Sequence, residues 1–345
     1  MRDFYKNKKI LITGSSGFVG SWLAITLNQM GAKVYGISLE PNTSPSLFKL
    51  INLEEKIKQE YINICDFKLL SKAIKEISPD IVFHLAAQPL VRESYFKTIE
   101  TFNTNVMGTL NVLESCKNID TNINLVCITT DKCYENEEHG ERFIESDPLG
   151  GKDPYSASKA CAEIVTKSHA LSFNNLRLCT ARAGNIIGGG DWAKDRIITD
   201  IVESISKEND IVIRSPKSIR PWQHIIDVVN GYLKLAIYNE NKVEVFNAFN
   251  FGPLEENEIN VETLANKFIS NWNLSKSSLV LDQNENPPES KILRLDSSKS
   301  MEVLDWKPLM DIENTIKETA IWYENFYSGK EIYEFTIRQI NKYLD

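Results

Sequence analysis

Short apolar runs alternate with segments of helical periodicity through the first half of the chain. The runs predict strands at 9–13, 33–38, 61–64, 80–87 and 123–129, and the periodic segments predict helices near 18–30, 46–57, 67–77, 95–117, 155–172 and 311–327. The strands are apolar throughout, as expected when helices cover both faces of a parallel sheet. This alternation predicts an α/β fold with a Rossmann-type doubly wound parallel sheet.

The pattern loosens after about residue 183, where GNIIGGGDW leads into mixed helices and short strands. We therefore expect a cofactor-binding domain over 1–182 and a smaller, partly interleaved substrate domain over 183–345. Segments near 224–250 are expected to return to the cofactor-binding domain.

Composition and charge narrow the class of protein. Of the 345 residues, 42% are hydrophobic and 25% are charged, which is typical of a globular protein. The net charge is −8 and no long lysine or arginine run occurs, which argues against nucleic acid or an anionic membrane as partner. No apolar run approaches the ~20 residues that cross a bilayer, and MRDFYKNKK has no apolar signal core, so we expect a cytoplasmic protein.

Cysteine and histidine give no sign of disulfides or of a metal site. The six cysteines are scattered, mostly in apolar runs and without a CxxC pair, which predicts buried reduced thiols. The four histidines show no metal-ligand spacing, so no metal is expected.

A glycine-rich loop, TGSSGFVGSW, stands directly between the first strand and the first helix. Gly14 suits a tight turn, Gly17 lets a pyrophosphate approach the backbone, and Gly20 allows close packing of helix on strand. The helix N-terminus adds free N–H groups and a partial positive charge. The loop therefore predicts a dinucleotide site.

Two carboxylates are candidates for the adenosine half of that dinucleotide. Glu40 lies 20 residues past Gly20, where a carboxylate binds ribose hydroxyls, and no Arg or Lys in the loop would meet a 2′-phosphate. This favours NAD over NADP, although a solvated loop residue is the alternative for Glu40. Asp66, after the third strand, is a candidate for the adenine amino group.

Hydroxyl, carboxyl and amine groups follow the fifth strand in TTDKCYE, which contains Thr130, Asp131 and Lys132. DPYSASKACAE places Tyr155 and Lys159 four residues apart, on one face of a helix. A tyrosine, with an ordinary pKa of about 10, becomes a usable base when an ammonium stabilises its phenolate. This combination suits hydride transfer between a sugar carbinol and NAD.

These segments make the sequence resemble the extended short-chain dehydrogenase/reductase family over essentially its whole length. The likeness is carried by TGSSGFVGSW, HLAAQPLVRESY, TNVMGTLNVLE, TTDKCYE, DPLGGKDPYSASK, ARAGNIIGGGDW and IRPWQHI. The Asp-Lys pair, GGGDW and RPWQH are similar to the nucleotide-sugar 4,6-dehydratases, in the branch that acts on CDP-glucose. For that branch the resemblance implies a place in deoxysugar biosynthesis for a bacterial surface polysaccharide, such as the O-antigen of lipopolysaccharide.

The resemblance implies a dehydration with an internal redox cycle. The sugar is oxidised at C4, water is lost across C5 and C6, C6 is reduced, and NAD emerges unchanged. By this likeness Tyr155 accepts the C4 hydroxyl proton while Thr130 bonds the same oxygen. Lys159 binds the nicotinamide ribose, and Asp131 protonates the leaving C6 hydroxyl.

The same resemblance implies further binding residues. Those expected at the cofactor, beside the residues already named, are Phe18, Val19, Leu85, Ala86, Ala87, Asn105 and Thr129. Those expected at the substrate are Asn185, Arg196, Arg220 and Arg294. Arginine suits a diphosphate because its planar fork matches phosphate oxygens, and a salt bridge is the alternative for each arginine. The choice of cytosine over other bases rests on the resemblance alone.

Lys132 stands where the related dTDP-glucose dehydratases carry the glutamate that removes the C5 proton. An ordinary lysine is protonated at neutral pH and is then a poor base. Two hypotheses follow: Lys132 is the C5 base after losing its proton, or it stays charged and stabilises the enolate while Tyr155 or another group takes the proton. Glu135 is a spare carboxylate three residues on, expected to point elsewhere.

Other functions share parts of this pattern. A nucleotide-sugar 4-epimerase would share Tyr155 and Lys159 but needs no acid and base at C5 and C6. A non-enzymatic NAD sensor could dispense with the catalytic tyrosine, and a dTDP- or GDP-sugar dehydratase would keep the reaction with another base. The helices near 95–117 and 155–172 match those through which family members pair, so a homodimer or homotetramer is expected.

Overall fold

The computed structural model of the protein describes residues 1–119, 122–242, 244–272, 277–282 and 292–344. The strands of its central sheet are β1 (Lys9–Thr13), β2 (Lys33–Ser38), β3 (Lys58–Tyr61), β4 (Ile81–His84), β5 (Ile123–Ile128), β6 (Leu176–Ala183) and β11 (Phe246–Phe251). Short strands lie outside that sheet: β7 (Ile186–Ile187), β8 (Ile211–Ile213), β9 (Ile219–Arg220), β10 (Gln223–His224), β12 (Ile259–Asn260) and β13 (Leu279–Leu281).

The helices cover both faces of the sheet and build the C-terminal part. They are α1 (Arg2–Tyr5), α2 (Phe18–Gln29), α3 (Leu47–Leu50), α4 (Leu53–Lys56), α5 (Phe67–Ile77), α6 (Val91–Phe96), α7 (Thr98–Phe102), α8 (Gly108–Lys117), α9 (Pro154–Ser172), α10 (Ile197–Ser206), α11 (Ile225–Asn241), α12 (Val261–Ser270), α13 (Ser298–Leu304), α14 (Ile312–Tyr327) and α15 (Ile332–Leu344). Among the described residues, none of these helices combines the length and apolar content needed to cross a membrane.

The sheet is parallel and doubly wound, which confirms the predicted fold. Within the described ranges its seven strands run in the order β11-β6-β5-β4-β1-β2-β3. Ile10 and Ile12 on β1 belong to one hydrophobic core and Leu11 to the other, because alternate side chains of a strand point to opposite faces. The strand order reverses between β1 and β4, and ligands of open α/β sheets bind outside the carboxyl ends at such a point.

Three predicted elements differ from the structure. The strand predicted at 61–64 is wrong, because β3 is a sheet-edge strand whose residues are mostly exposed and therefore lack an apolar pattern. The helix predicted near 46–57 is two short helices, separated by Asn52 with a φ of 48°. The helix predicted near 95–117 is α7, a π-helical turn (Asn103–Met107) and α8, after a separate α6.

The later half of the chain contributes to the central sheet. β11 pairs with β6 from Phe246 opposite Leu178 to Phe251 opposite Ala183. α11, which precedes β11, contributes Val228 and other buried residues to the hydrophobic core that contains Ile10 and Ile12. The division into a cofactor domain over 1–182 and a substrate domain over 183–345 stays a prediction.

The GGGDW loop packs against α14 so closely that we expect a side chain to be excluded there. A Cβ on Gly189 would lie 1.9 Å from Cδ2 of the fully buried Trp322, and the Gly189 carbonyl accepts a hydrogen bond from Trp22 Nε1 at 2.9 Å. Gly189→Ala should therefore lower the free energy of unfolding by about 1–3 kcal/mol or more. Denaturant unfolding measures this loss. Gly17→Ala is the control, because its Cβ would meet only one atom, at 3.4 Å; equal losses in both variants would contradict the packing argument.

Candidate active site

A cleft of about 710 Å³ opens at the carboxyl ends of the central strands, a size typical of small-ligand sites. Its walls come from the loops after β1, β2, β4 and β5, from the start of α9, and from the segment around β7, β9 and α10. The cleft therefore joins the predicted dinucleotide loop to the predicted catalytic and substrate segments.

The loop between β1 and α2 forms a cradle for phosphate. Gly14 has a φ of 78°, and a Cβ there would lie 2.8 Å from the backbone nitrogen of Ala86. A Cβ on Gly20 would lie 2.1 Å from the Gly14 carbonyl oxygen, so helix and strand can meet only without side chains. Gly17 caps α2 and lines the cleft, where a Cβ would meet only the Gly14 oxygen at 3.4 Å. The exposed N-terminus of α2 fits the pyrophosphate of a dinucleotide.

The other predicted cofactor contacts are divided between the cleft and its supports. Phe18 and Val19 line the cleft, as does Glu40, whose side chain is 65% exposed with its carboxylate 3.8 Å from Lys49 Nζ. Asp66 does not line it. Its Oδ1 accepts the Leu69 backbone N–H at 3.0 Å and so caps α5.

Asn105 is buried and contacts the loop after β4. Its Oδ1 accepts the Gln88 backbone N–H at 2.8 Å, and its Nδ2 donates to Ser158 Oγ at 2.8 Å. Asn105 itself does not line the cleft; it connects the loop after β4 to α9.

Tyr155 and Lys159 both line the cleft, on the first turns of α9. The helix begins after Asp153, whose Oδ1 accepts the Ser156 backbone N–H at 2.9 Å. Lys159 Nζ donates to the Ile128 carbonyl at the end of β5, at 3.0 Å. The helix start and this bond bring the tyrosine and the lysine to the carboxyl end of the sheet.

Burial favours the uncharged form of both groups. It raises the pKa of Tyr155 to about 12 and lowers the pKa of Lys159. A hydrogen bond with Thr130 and the positive charge of Arg196 act in the opposite direction on the pKa of Tyr155. The phenol therefore depends on neighbouring donors and cations to become a base.

Thr130 caps, and Asp131 begins, a 3-10 turn that follows β5 after Thr129. Thr130 Oγ1 donates to Asp131 Oδ1 at 2.9 Å, and Asp131 is only 1% exposed. Burial raises the pKa of Asp131, against the positive charges of Lys132 and Arg220. Among the described residues, none forms a hydrogen bond with Asp131 Oδ2. A carboxyl group in this position is suited to hold a proton and donate it to a leaving oxygen.

Lys132 lines the cleft beside Asp131 and is half-buried. Glu135 is exposed and is not part of the cleft wall. The structure thus brings the lysine, and not the spare carboxylate, into the cleft beside Asp131.

Three of the four predicted substrate residues, Asn185, Arg196 and Arg220, line the cleft. Arg196 Nη1 lies 2.6 Å from Asp191 Oδ2, and Arg220 is 4% exposed. Their guanidinium groups bring positive charge to the wall of the cleft.

Arg294 is not part of the cleft wall. Its Nε lies 2.9 Å from Glu258 Oε2, and its Nη1 donates to the Gly140 carbonyl at 3.0 Å. Arg294 therefore joins Glu258 in the C-terminal part to the segment between β5 and α9, and its salt bridge matches the alternative expected for it.

Sequence reasoning missed a charged bridge at the cleft. Arg92 Nη1 and Arg214 Nη1 lie 2.9 and 2.8 Å from the same oxygen of Asp195, and all three residues line the cleft. Arg92 and Asp195 are 103 positions apart, so no local spacing predicts the pair. Sequence reasoning also missed the buried pair of Glu163 and Arg182, although Glu163 follows Lys159 by one helical repeat.

Within the described ranges, no group of three or more His, Cys, Asp or Glu side chains is arranged to hold a metal ion. The six cysteines are free thiols.

Known proteins resemble the chain over almost its full length. The family model described as GDP-mannose 4,6 dehydratase matches residues 11–319. A Salmonella typhimurium protein named CDP-glucose 4,6-dehydratase is 40% identical over 353 aligned residues, which cover 99% of this chain and 98% of that protein. A human dTDP-D-glucose 4,6-dehydratase is 26% identical, covering 94% of this chain and 93% of that protein.

Solved structures share the fold. A Bacillus anthracis dTDP-glucose 4,6-dehydratase in complex with NAD matches with a TM-score of 0.77 at 23% identity, over 94% of this chain and 98% of that chain. A UDP-glucose-4-epimerase from Stenotrophomonas maltophila, with bound NAD and formylated UDP-arabinopyranose, matches with a TM-score of 0.81 at 18% identity. The match covers 94% of this chain and 100% of that chain. With the family model and the 40% identical relative, the fold and cleft lead to one conclusion: the chain belongs to the extended short-chain dehydrogenase/reductase family, among its nucleotide-sugar 4,6-dehydratases.

Proposed function

We propose that this protein converts CDP-D-glucose to CDP-4-keto-6-deoxy-D-glucose and water, with NAD in the glycine-loop half of the cleft. One observation carries the proposal: a buried carboxyl, Asp131, lies in the same cleft as Tyr155 and Lys159. An epimerase needs only the last two. The choice of CDP-glucose is supported by the relative of that name at 40% identity.

The residues of the glycine loop, with Glu40 and Lys159, would hold the cofactor. NAD, when bound, supplies the acceptor for the hydrogen of the sugar C4 and the donor that later reduces C6. Tyr155 takes the proton of the C4 hydroxyl, and Thr130 holds the same oxygen by a hydrogen bond. The Lys159 ammonium stabilises the phenolate that Tyr155 must become.

The elimination uses the adjacent pair after β5. A ketone at C4 acidifies the C5 proton, and Lys132 removes it after its ammonium has given up its own proton. Asp131 donates its proton to the C6 hydroxyl, and the C6–O bond breaks to release water. The two side chains end as carboxylate and ammonium, side by side, so the charges formed in this step stabilise each other.

Lys132→Ala should slow exchange of the C5 hydrogen by about 10²-fold or more, because the base is removed. The measurement is incorporation of deuterium from D₂O at C5 of the bound sugar, followed by NMR. Oxidation at C4 should persist, because Tyr155 is unchanged. Lys167→Ala, on an exposed position of α9, is the control. Exchange at the wild-type rate in Lys132→Ala would leave Lys132 as an enolate stabiliser only.

The substrate assignment is tested by mass and NMR readout of purified protein given NAD with CDP-glucose, dTDP-glucose, UDP-glucose or GDP-mannose. Loss of one water from CDP-glucose alone is the expected result. Turnover of another nucleotide sugar would keep the reaction and overturn the cytidine assignment. A sugar of unchanged mass, inverted at C4, would indicate an epimerase.

We further propose a cytoplasmic homodimer or homotetramer that serves deoxysugar synthesis for the O-antigen of lipopolysaccharide. The exposed Phe96 and Ile99, 84% and 87% accessible, support self-association near the helices that precede α8. Sedimentation equilibrium at several concentrations tests this assembly; a monomer throughout would contradict it.

A further inference from the structure

A buried carboxylate lies beneath the cleft, on the helix that carries Tyr155 and Lys159. Glu163 follows Lys159 by four residues, so these three side chains share one face of α9. Tyr155 and Lys159 line the cleft, but Glu163 does not, and it is only 1% exposed. The proposed reaction gives Glu163 no chemical step.

Glu163 accepts hydrogen bonds from the two strands beneath the helix. Its Oε1 accepts from the hydroxyl of Thr129, directly after β5. Its Oε2 accepts from Thr180 Oγ1 and from Arg182 Nη2 on β6, each at 2.8 Å. Hydrogen bonds to an ionised group are roughly twice as strong as neutral ones. The carboxylate therefore fixes α9 to the ends of two neighbouring strands.

Arg182 extends this connection to other parts of the site. It is 3% exposed, and its Nη1 donates to Tyr134 Oη at 2.9 Å and to the Glu145 carbonyl at 3.1 Å. Tyr134 in turn donates to Asn250 Oδ1 on β11, at 2.6 Å. The pair of Glu163 and Arg182 thus ties α9 to β6, to β11 and to the segment that follows the catalytic turn.

Two successive turns of α9 contact two successive residues at the end of β5. Lys159 Nζ donates to the Ile128 carbonyl at 3.0 Å, and Glu163 receives the hydroxyl of Thr129. Thr130 is the next residue of the chain. The contact of Glu163 therefore sets where Thr130 lies relative to Lys159, and a small displacement of reacting groups can lower a rate about 10²-fold.

Electrostatics adds a second consequence for the lysine. The titratable groups that face Lys159 are His84 on β4, Cys127 on β5, Cys133 in the turn after β5, and Glu163 on its own helix. Burial lowers the pKa of His84 to about 3 and raises the pKa of Cys127 to about 11. Burial also raises the pKa of Cys133 well above its ordinary value. These three are therefore uncharged at neutral pH, whereas the negative charge of Glu163 opposes the loss of the Lys159 proton on burial.

We propose that Glu163, held by Arg182, is a positioning residue that docks α9 on the end of β5 and supplies the negative charge supporting the Lys159 ammonium. Its consequence for turnover rests on the proposed function, whereas its consequence for Lys159 does not.

The first readout is the pKa of Lys159, from ¹⁵N NMR of lysine Nζ across a pH titration, with the signal assigned by its loss in Lys159→Arg. Glu163→Gln keeps the shape of the side chain and removes its charge, so we expect the pKa of Lys159 to fall by about one unit. The matched control is Glu114→Gln. Glu114 is on α8, and its carboxylate lies 3.2 Å from Nε2 of His169, which is on α9 but away from the cleft. Removing the Glu114 charge should therefore leave the pKa of Lys159 unchanged.

The second readout is the pH profile of turnover with CDP-glucose. In Glu163→Gln the alkaline limb of kcat/KM should move to lower pH by the same amount, because Lys159 loses its proton earlier. Glu163→Asp keeps the charge but shortens the side chain, so it should lower kcat while leaving the limb in place. A purely structural role would lower stability in both variants and move the limb in neither.

Glu163→Gln leaves Arg182 buried beside a neutral partner, which is costly for folding. The double variant Glu163→Gln with Arg182→Met avoids that cost, and its reference is Arg182→Met alone, because both then lack the Arg182 charge. A Lys159 pKa that is the same in Glu163→Gln as in the wild type, or the same in the double variant as in Arg182→Met, overturns the inference. A lowered Lys159 pKa in a protein that releases no water from CDP-glucose would support the positioning role and refute the proposed function.

Discussion

Tyr155→Phe is expected to lower kcat by about 10²–10⁴-fold, because the group that accepts the C4 hydroxyl proton is lost. The substitution removes one oxygen from a residue that is 8% exposed, so the fold should be retained. No reduced nicotinamide should form when substrate is mixed with the NAD-loaded variant, as followed by absorbance. Binding of NAD should persist, since the glycine loop is unchanged.

Tyr238→Phe is the matched control for this experiment. Its hydroxyl contacts Glu244 Oε2 at 3.2 Å, outside the cleft, so turnover should stay at the wild-type level. A Tyr155→Phe protein that oxidises the sugar at the wild-type rate would remove Tyr155 from the mechanism.

Asp131→Asn should block the loss of water while leaving oxidation at C4 intact. Asparagine keeps the size of the side chain but has no acidic proton to give to the C6 hydroxyl, so kcat should fall by about 10²–10⁴-fold. Reduced nicotinamide should then accumulate on mixing with CDP-glucose, while the mass of the sugar shows no loss of water. This separation of two steps distinguishes an acid at C6 from a residue that only shapes the cleft.

The control for Asp131 is Glu135→Gln, which removes an exposed carboxylate of the same segment. It should leave turnover unchanged. Water release at the wild-type rate from Asp131→Asn would contradict the assigned role.

The raised pKa of Asp131 also predicts the direction in which the rate of water loss changes with pH. The protonated form is the donor, and burial raises its pKa in the folded protein. In the wild type, water loss should therefore slow as pH rises through that pKa, whereas oxidation at C4 should not slow over the same range. Rapid-mixing measurements of the two steps across pH check this.

The fold could be predicted from sequence because its signals are local. Apolar runs and helical spacing identify β1, β2, β4 and β5 and the helices between them. β3 was misplaced because an edge strand carries polar residues, Lys58 and Glu60 among them. The sequence analysis expected segments near 224–250 to return to the cofactor-binding domain, but local pattern could not pair β11 with β6, because the two strands lie far apart in the sequence.

The site likewise has residues that local sequence patterns identify and residues that only tertiary contacts reveal. The spacing of Gly14, Gly17 and Gly20, and that of Tyr155 and Lys159, identifies residues that do line the cleft. Asp66, Asn105 and Arg294 were expected at the ligands, but each meets a nearby backbone, side-chain or salt-bridge partner instead. A carboxylate, carboxamide or guanidinium can bind a ligand or stabilise the fold, and only tertiary contacts decide between these two roles.

The bridge of Arg92, Asp195 and Arg214 is a feature of the cleft that sequence analysis did not select. Its residues come from both halves of the chain and meet only in the folded protein. Charge pairs of this kind leave no spacing pattern, so sequence alone gives no reason to select them.

An intramolecular 4,6-dehydration would carry deuterium from C4 of a labelled CDP-glucose into the product. Mass spectrometry and NMR of the product locate the label after turnover by the NAD-loaded protein. We expect a product lighter by one water, with the deuterium in the C6 methyl group. A sugar of unchanged mass that keeps deuterium at C4, or a dehydrated product without the label at C6, would contradict it.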